Sequence, residues 1–204
     1  YYGGSAQEEA FGIAVDPSLN VIITGQTSSV IVMATTGAHQ TALSGTNDAF
    51  IAKFTTTGLR TWSTYYGGTG LEQGSAVACN ALGEIVIAGN TTSATGMATS
   101  KAYQTSYAGT QDAFISYFTA GGGLVWSTYS GGNSLDYAQS VCFDANNNIV
   151  MAGGTFSNTG IASPIGTLNP AAYQSGIAGD YDAYVQKLSP LGQRLWGTYF
   201  GGTL

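Results

Sequence analysis

The residues of this chain that could do chemistry are few, and most of them recur. Acids occupy three sets of equivalent positions: Glu8, Glu72 and Asp136; Asp48, Asp112 and Asp182; and Asp16 and Asp144, with Asn80 between them. Each stands beside glycines or turn residues, where a carboxylate can accept backbone N–H groups that would otherwise lack partners. We read these acids as holding the fold. The alternative is a calcium site at Glu8, Glu72 and Asp136, but calcium takes about six to eight oxygens and one acid per site is a thin supply. No metal is assigned on that basis, and no cofactor motif is present.

His39 is the only histidine, so a nucleophile–histidine–acid arrangement would have to use it. Its equivalents in the repeats are Tyr103 and Tyr173, which gives it an aromatic packing role. No Gly-x-Ser-x-Gly elbow occurs, nor a metal-type His/Cys spacing. Glu8 and Glu9 are adjacent on an extended segment, so they point apart and do not form a glycosidase pair. The expectation is a non-enzymatic chain. Cys79 and Cys142 fall one residue out of register between repeats and should face opposite sides of their strands. They are expected to be two buried thiols rather than a disulfide.

The elements that position these residues follow from a long period. Trp62-Ser63-Thr64-Tyr65-Tyr66-Gly67-Gly68 returns as Trp126-Ser127-Thr128-Tyr129-Ser130-Gly131-Gly132, then as Trp196-Gly197-Thr198-Tyr199-Phe200-Gly201-Gly202. The tryptophans, the only three, lie 64 and 70 residues apart. Three units result, 1–64, 65–128 and 129–198, with residues 199–204 as an exit. Each holds four extended runs. The first two are joined by a tight turn, as at Pro17–Asn20, Ala81–Glu84 and Ala145–Asn148. A long polar connection leads to the third run, which starts beside Asp48, Asp112 or Asp182. The fourth carries the tryptophan. No helical apolar period of useful length appears.

Four short strands per unit in an antiparallel meander predict an all-β fold. The array is expected to be β-propeller-type: three blades, a partial propeller or arc. Near-continuous apolar runs such as Phe50-Ile51-Ala52 and Ile85-Val86-Ile87-Ala88 fit strands buried on both faces. A parallel solenoid would want a shorter period and sub-runs that resemble one another. The motifs "WSTYYGG", "VIITGQT", "GAHQT/KAYQT/AAYQS" and "NDAFIAKF" resemble the bacterial seven-bladed-propeller-type repeat, the SBBP repeat, three times over. The family's usual Phe-Pro and Thr-rich stretch is replaced by Met33-Ala34-Thr35-Thr36 and Met97-Ala98-Thr99-Ser100. The resemblance implies a large secreted or surface-attached bacterial protein and no established activity.

Propellers close with about four to eight blades. This chain supplies three, and the end of a fourth run occurs at Tyr1–Gly4 and again at Tyr199–Gly202. The expected partners are therefore further blades of a longer chain, or other chains that complete the assembly.

Composition narrows the function classes. Charged residues make up 8%, against about 25% in ordinary soluble domains, which suits an extracellular or cell-surface setting. The five basic residues, Lys53, Arg60, Lys101, Lys187 and Arg194, are scattered, so the phosphate backbone of a nucleic acid has nothing to meet. No apolar run approaches the length of a membrane-spanning helix.

In such a meander the long connections and the Gly-Gly links emerge on one face. The third connection holds a six-residue insertion near Pro164–Pro170. Loops on a rigid scaffold are where binding residues concentrate. His39, Tyr103, Tyr107, Tyr173 and Tyr181 are the candidates, with glycan or protein as ligand. Trp62, Trp126 and Trp196, the three aspartates of the third run, and the glycines Gly67, Gly68, Gly131 and Gly132 are read as repeat anchors. The leading functional expectation is an adhesion or recognition module. The alternatives are an architectural spacer or filament unit, and a part of a carbohydrate-active enzyme whose catalytic residues lie elsewhere.

Overall fold

The computed structural model describes residues 2–31, 33–163 and 172–203. Tyr1, Leu204 and the insertion near Pro164–Pro170 lie outside the described residues. Among the described residues the chain forms twelve strands and no helix. The first sheet holds β1 (Glu8–Val15), β2 (Val21–Thr27), β3 (Asp48–Phe54) and β4 (Arg60–Tyr66). The second holds β5 (Glu72–Cys79), β6 (Ile85–Thr91), β7 (Asp112–Phe118) and β8 (Leu124–Ser130). The third holds β9 (Asp136–Phe143), β10 (Ile149–Thr155), β11 (Asp182–Leu188) and β12 (Arg194–Phe200). Each sheet is an antiparallel meander in chain order.

The local reasons repeat in every sheet. Asp16 and Asp144 cap the first hairpin turn. Asp16 Oδ1 accepts the N–H groups of Ser18 and Asn20, and Asp144 Oδ1 those of Asn146 and Asn148, each at 2.8 or 2.9 Å. Each aspartate also meets a lysine of the third strand, Asp16 with Lys53 at 2.8 Å and Asp144 with Lys187 at 2.6 Å. The middle sheet exchanges both partners. There Asn80 caps the turn, and the Tyr117 hydroxyl donates to Glu84 at 2.5 Å. Each first strand also carries a bulge, at Phe11, Ser75 and Gln139, which the alternation of residue types does not announce.

The sheets pack through their first strands: β5 lies against β1, β2 and β3, and β9 against β5, β6 and β7. The middle sheet is therefore covered on both faces. Ile85, Ile87, Phe114 and Phe118 join a core shared with the first sheet, while Val86, Ala88, Ala113 and Ile115 join one shared with the third. Two covered faces explain why β6 and β7 read as continuous apolar runs.

The expected burial of both thiols does not hold: Cys79 is half-buried and Cys142 is exposed. Cys142 occupies the register of Ala78 beside the following strand, facing the side of the third sheet that no other sheet covers. The same strand position is interior or exterior according to what is stacked on it, which the strand's own residues do not encode. No helix among the described residues is long and apolar enough to cross a membrane.

Candidate functional site

The recurring acids converge on the links between sheets. Gly68 donates its N–H to Glu72 Oε2 at 2.8 Å, and Gly132 donates to Asp136 Oδ2 at 2.7 Å. Gly4 donates to Glu8 Oε2 at 3.0 Å. Each of these acids also accepts two hydroxyls from the end of the second strand. For Glu72 they are Thr91 at 2.7 Å and Ser93 at 2.6 Å; for Asp136, Thr155 at 2.5 Å and Ser157 at 2.8 Å. For Glu8 they are Thr27, at 3.0 Å, and Ser29.

The first glycine of each link is held from the other side. Gly67 donates to Gln40 Oε1 at 2.9 Å, Gly131 to Gln104 and Gly201 to Gln174, both at 3.0 Å. Each glutamine passes its own amide N–H to the aspartate that opens the third strand. Gln40 donates to Asp48 at 2.6 Å, Gln104 to Asp112 at 3.0 Å and Gln174 to Asp182 at 2.9 Å. Aspartate, glutamine, Gly-Gly and acid thus form one hydrogen-bonded strap from the first sheet to the second and another from the second to the third.

Two sets of acids that are distant in sequence meet here. A methyl group at Gly131 would lie 2.6 Å from Asp112 Oδ1 and 2.8 Å from Asp136 Oδ2; at Gly67 it would lie 2.7 Å from Asp48 Oδ1 and 2.6 Å from Glu72 Oε2. Only glycine leaves room between the two carboxylates. All four acids are buried. Burial, which disfavours the charged form, pushes Asp112 up to about 7, with the charge of Asp136 adding to it. Asp48, Glu72 and Asp136 are raised for the same first reason. Asp112 Oδ1 is buried without a hydrogen-bond partner, whereas Asp48 Oδ1 accepts the Gly45 N–H at 3.1 Å.

The groups aimed at Glu8, Glu72 and Asp136 are N–H and O–H donors. Such a set satisfies the carboxylate oxygens by hydrogen bonding. Among the described residues no three His, Cys, Asp or Glu side chains gather as metal ligands.

The tryptophans reach across the same junctions. Trp62 donates its indole N–H to Ala120 O at 3.2 Å, and Trp126 donates to Pro190 O at 2.9 Å. Both acceptors belong to the turn between the third and fourth strands of the following sheet. Trp126 also stacks on Tyr117, with ring centroids 5.6 Å apart.

The candidate loop residues are spread over different junctions. His39 lies against Tyr66 and Phe118, and burial lowers its pKa. Tyr107 packs edge-on to Tyr129, Tyr181 lies 4.6 Å from Phe156, and Tyr173 stands near Phe200. Tyr103 carries the Arg194 guanidinium 4.4 Å from its ring centroid.

Tyr103 also lines an open cleft of about 350 Å³, with Gln104, Ser106, Asn133 and Thr159, over Gly131 and Gly132. Its lining residues are uncharged: one aromatic ring, a few polar side chains, Ala108 and glycines, which together present more apolar than polar surface. Nothing local in the sequence marks the glutamines or the Thr-x-Ser pairs. Their signal was recurrence: Gln40, Gln104 and Gln174 share one register, as do Thr27/Ser29, Thr91/Ser93 and Thr155/Ser157.

The long loops have a second task. Thr35 N–H donates to Ser63 O at 3.0 Å, and Thr99 N–H to Ser127 O at 2.9 Å. Tyr65 and Tyr129 N–H groups donate to Gln40 O and Gln104 O, each at 3.2 Å. The loops therefore pair with the outer edge of each fourth strand and close off backbone groups that would invite other chains. A scan against protein-family models finds no match, and a search of curated proteins finds none either.

Proposed function

We propose that the chain is a non-enzymatic recognition module, built of SBBP-like propeller blades and carried by a secreted or surface protein. It binds glycan through the face that bears the long loops. The observation that carries this reading is the cleft over Gly131 and Gly132, lined by Tyr103, Gln104, Ser106, Asn133 and Thr159, with the Arg194 guanidinium holding the Tyr103 ring from one face. Sugars present apolar C–H faces ringed by hydroxyls. An aromatic ring beside neutral side-chain donors and acceptors suits them.

A glycan-array screen tests this. Wild-type protein should retain a glycan that Tyr103→Ala loses, with both proteins folded by circular dichroism. Binding that survives exchange of all three long loops would refute the loop-face assignment.

A second reading has its own support. The loops are partly committed to capping strand edges through Thr35, Gln40, Thr99 and Gln104. A purely architectural spacer would need that much and no ligand.

A further inference from the structure

Two residues of the third sheet's last hairpin reach back onto the long loop of the second unit. Gln193 Nε2 donates to Lys101 O at 3.2 Å. Arg194, half-buried at the start of β12, donates through one terminal nitrogen to Gly160 O at 3.0 Å and to Ile161 O at 2.9 Å. Its guanidinium also lies 4.4 Å from the centroid of the Tyr103 ring. The Tyr103 hydroxyl is aimed at the same Gly160 O, at 3.5 Å. The third unit therefore holds this ring by one face and by its far end, and the same ring lines the cleft.

The lysines of the third strands are used differently. Lys53 and Lys187 each meet an aspartate at a hairpin turn. Arg194 instead spends its fork on two carbonyls and its plane on an aromatic face, a combination that a guanidinium offers and an ammonium does not. Such contacts fix the posture of a neighbour rather than neutralise a charge.

The first junction has the same backbone and carries other residues. Leu124 stands in the place of Arg194, each opposite the last residue of the third strand, Phe118 and Leu188. Gly123 stands in the place of Gln193. Leu124 packs against the shared core, and His39, the counterpart of Tyr103, lies against Tyr66 and Phe118. The braced ring is thus a property of the second junction and not of the repeat.

We infer that Arg194 is the positioning residue of the cleft: it fixes the Tyr103 ring before a sugar arrives and makes the second junction the one that binds. A ring already held loses no further rotamer freedom on contact, which is worth about three- to tenfold in affinity. The role of Arg194 in binding rests on the glycan reading of the cleft, whereas its hold on the ring does not.

Nuclear magnetic relaxation of isotope-labelled tyrosine rings tests the hold, with the Tyr103 signal identified as the one missing from Tyr103→Phe. In Arg194→Leu, which installs the side chain that the second sheet already accepts at this place, the Tyr103 ring should gain fast motion while the other tyrosine rings keep theirs. Calorimetric titration uses the array oligosaccharide that wild-type protein retains most tightly. It should show one site per chain and an affinity weakened about three- to tenfold in Arg194→Leu. Arg194→Lys, which returns a cation to the ring without the fork, should recover part of that loss.

A Tyr103 ring as rigid in Arg194→Leu as in wild type would overturn the inference whether or not a sugar binds. Two sites per chain, an unchanged affinity, or an Arg194→Lys that binds no better than Arg194→Leu would overturn it too. Added motion in every tyrosine ring would do the same, since it marks a purely structural role. An array on which wild-type protein retains nothing would overturn the glycan reading and the binding role with it, and the ring signals would still decide the hold.

Discussion

The middle sheet and the first sheet are built from the same pattern and differ in what surrounds them. β5 and β1 share register, bulge and acid, yet Val77 is interior and Ile13 is on the surface. Repeat identity fixes a strand's shape, whereas its energetic weight depends on whether a neighbour is stacked on it. A hydrophobic residue contributes by the area it removes from water, at roughly 25 cal/mol per Å². The same position should therefore carry large consequences in one sheet and small ones in another.

The sharpest contrast is a charge placed at that position. Val77→Asp should destabilise by more than about 4 kcal/mol, since it buries a carboxylate without a partner. Ile13→Asp should change stability by no more than about 0.5 kcal/mol, as surface substitutions do. Urea denaturation of both variants checks the pair, and equal losses would break the comparison.

Next in size is tryptophan truncation. Trp126→Ala removes a ring stacked on Tyr117 and a hydrogen bond to Pro190 O. It should cost about 3–5 kcal/mol, a large part of a typical domain's roughly 5–15 kcal/mol. Trp196→Ala should cost clearly less.

Acidity separates the junction from the periphery. Asp112, Asp48, Glu72 and Asp136 have raised pKa values. The folded state binds more protons there than the unfolded chain, so stability falls as pH rises from the ordinary aspartate value of 3.8 through about 7 for Asp112. Asp16 and Asp144 are lowered: at Asp16 desolvation raises the pKa, but the hydrogen bonds from Lys53 and Asn20 outweigh it and bring it to about 2, and Asp144 is lowered chiefly by Lys187. Their stabilisation is present above 3.8 and fades as pH drops below it. The melting temperature should therefore peak at mildly acidic pH and decline toward neutrality. Asp112→Asn should flatten the decline; an unchanged slope would remove Asp112 as its source.

Smaller still, Ser93→Ala should cost about 1 kcal/mol through the lost hydrogen bond to Glu72. Exchanging calcium for a chelator should leave the melting temperature unchanged, as the donors around Glu8, Glu72 and Asp136 imply.

Much of the fold was legible in the sequence because it is written three times. Strand positions, hairpin turns and the recurring acids came from the period and from turn chemistry. The pairing of Asp48 with Glu72 and of Asp112 with Asp136 was not legible. Those residues are 24 positions apart in each case and meet only because consecutive sheets stack. Gln40 illustrates the same limit: its amide bridges Asp48 to Gly67, and nothing local marks it as a bridge. Cys142 illustrates the converse, since its exposure depends on an absent neighbour rather than on its own strand. Tyr103 was a candidate from its loop and its aromatic character, but the cleft it lines required the third sheet's Asn133 and Thr159 to be brought beside it.

The strap through Gln40, Gly67 and Glu72 has a consequence for how the chain comes apart. Its atoms belong to two consecutive units, so neither unit can open its half without releasing the other's. Such a chain behaves as a row of coupled spins in which nearest-neighbour terms carry the cooperativity. The middle unit is coupled on both sides and each outer unit on one. Opening should start from the ends and run inward, and amide hydrogens of β6 and β7 should be the last to exchange with solvent.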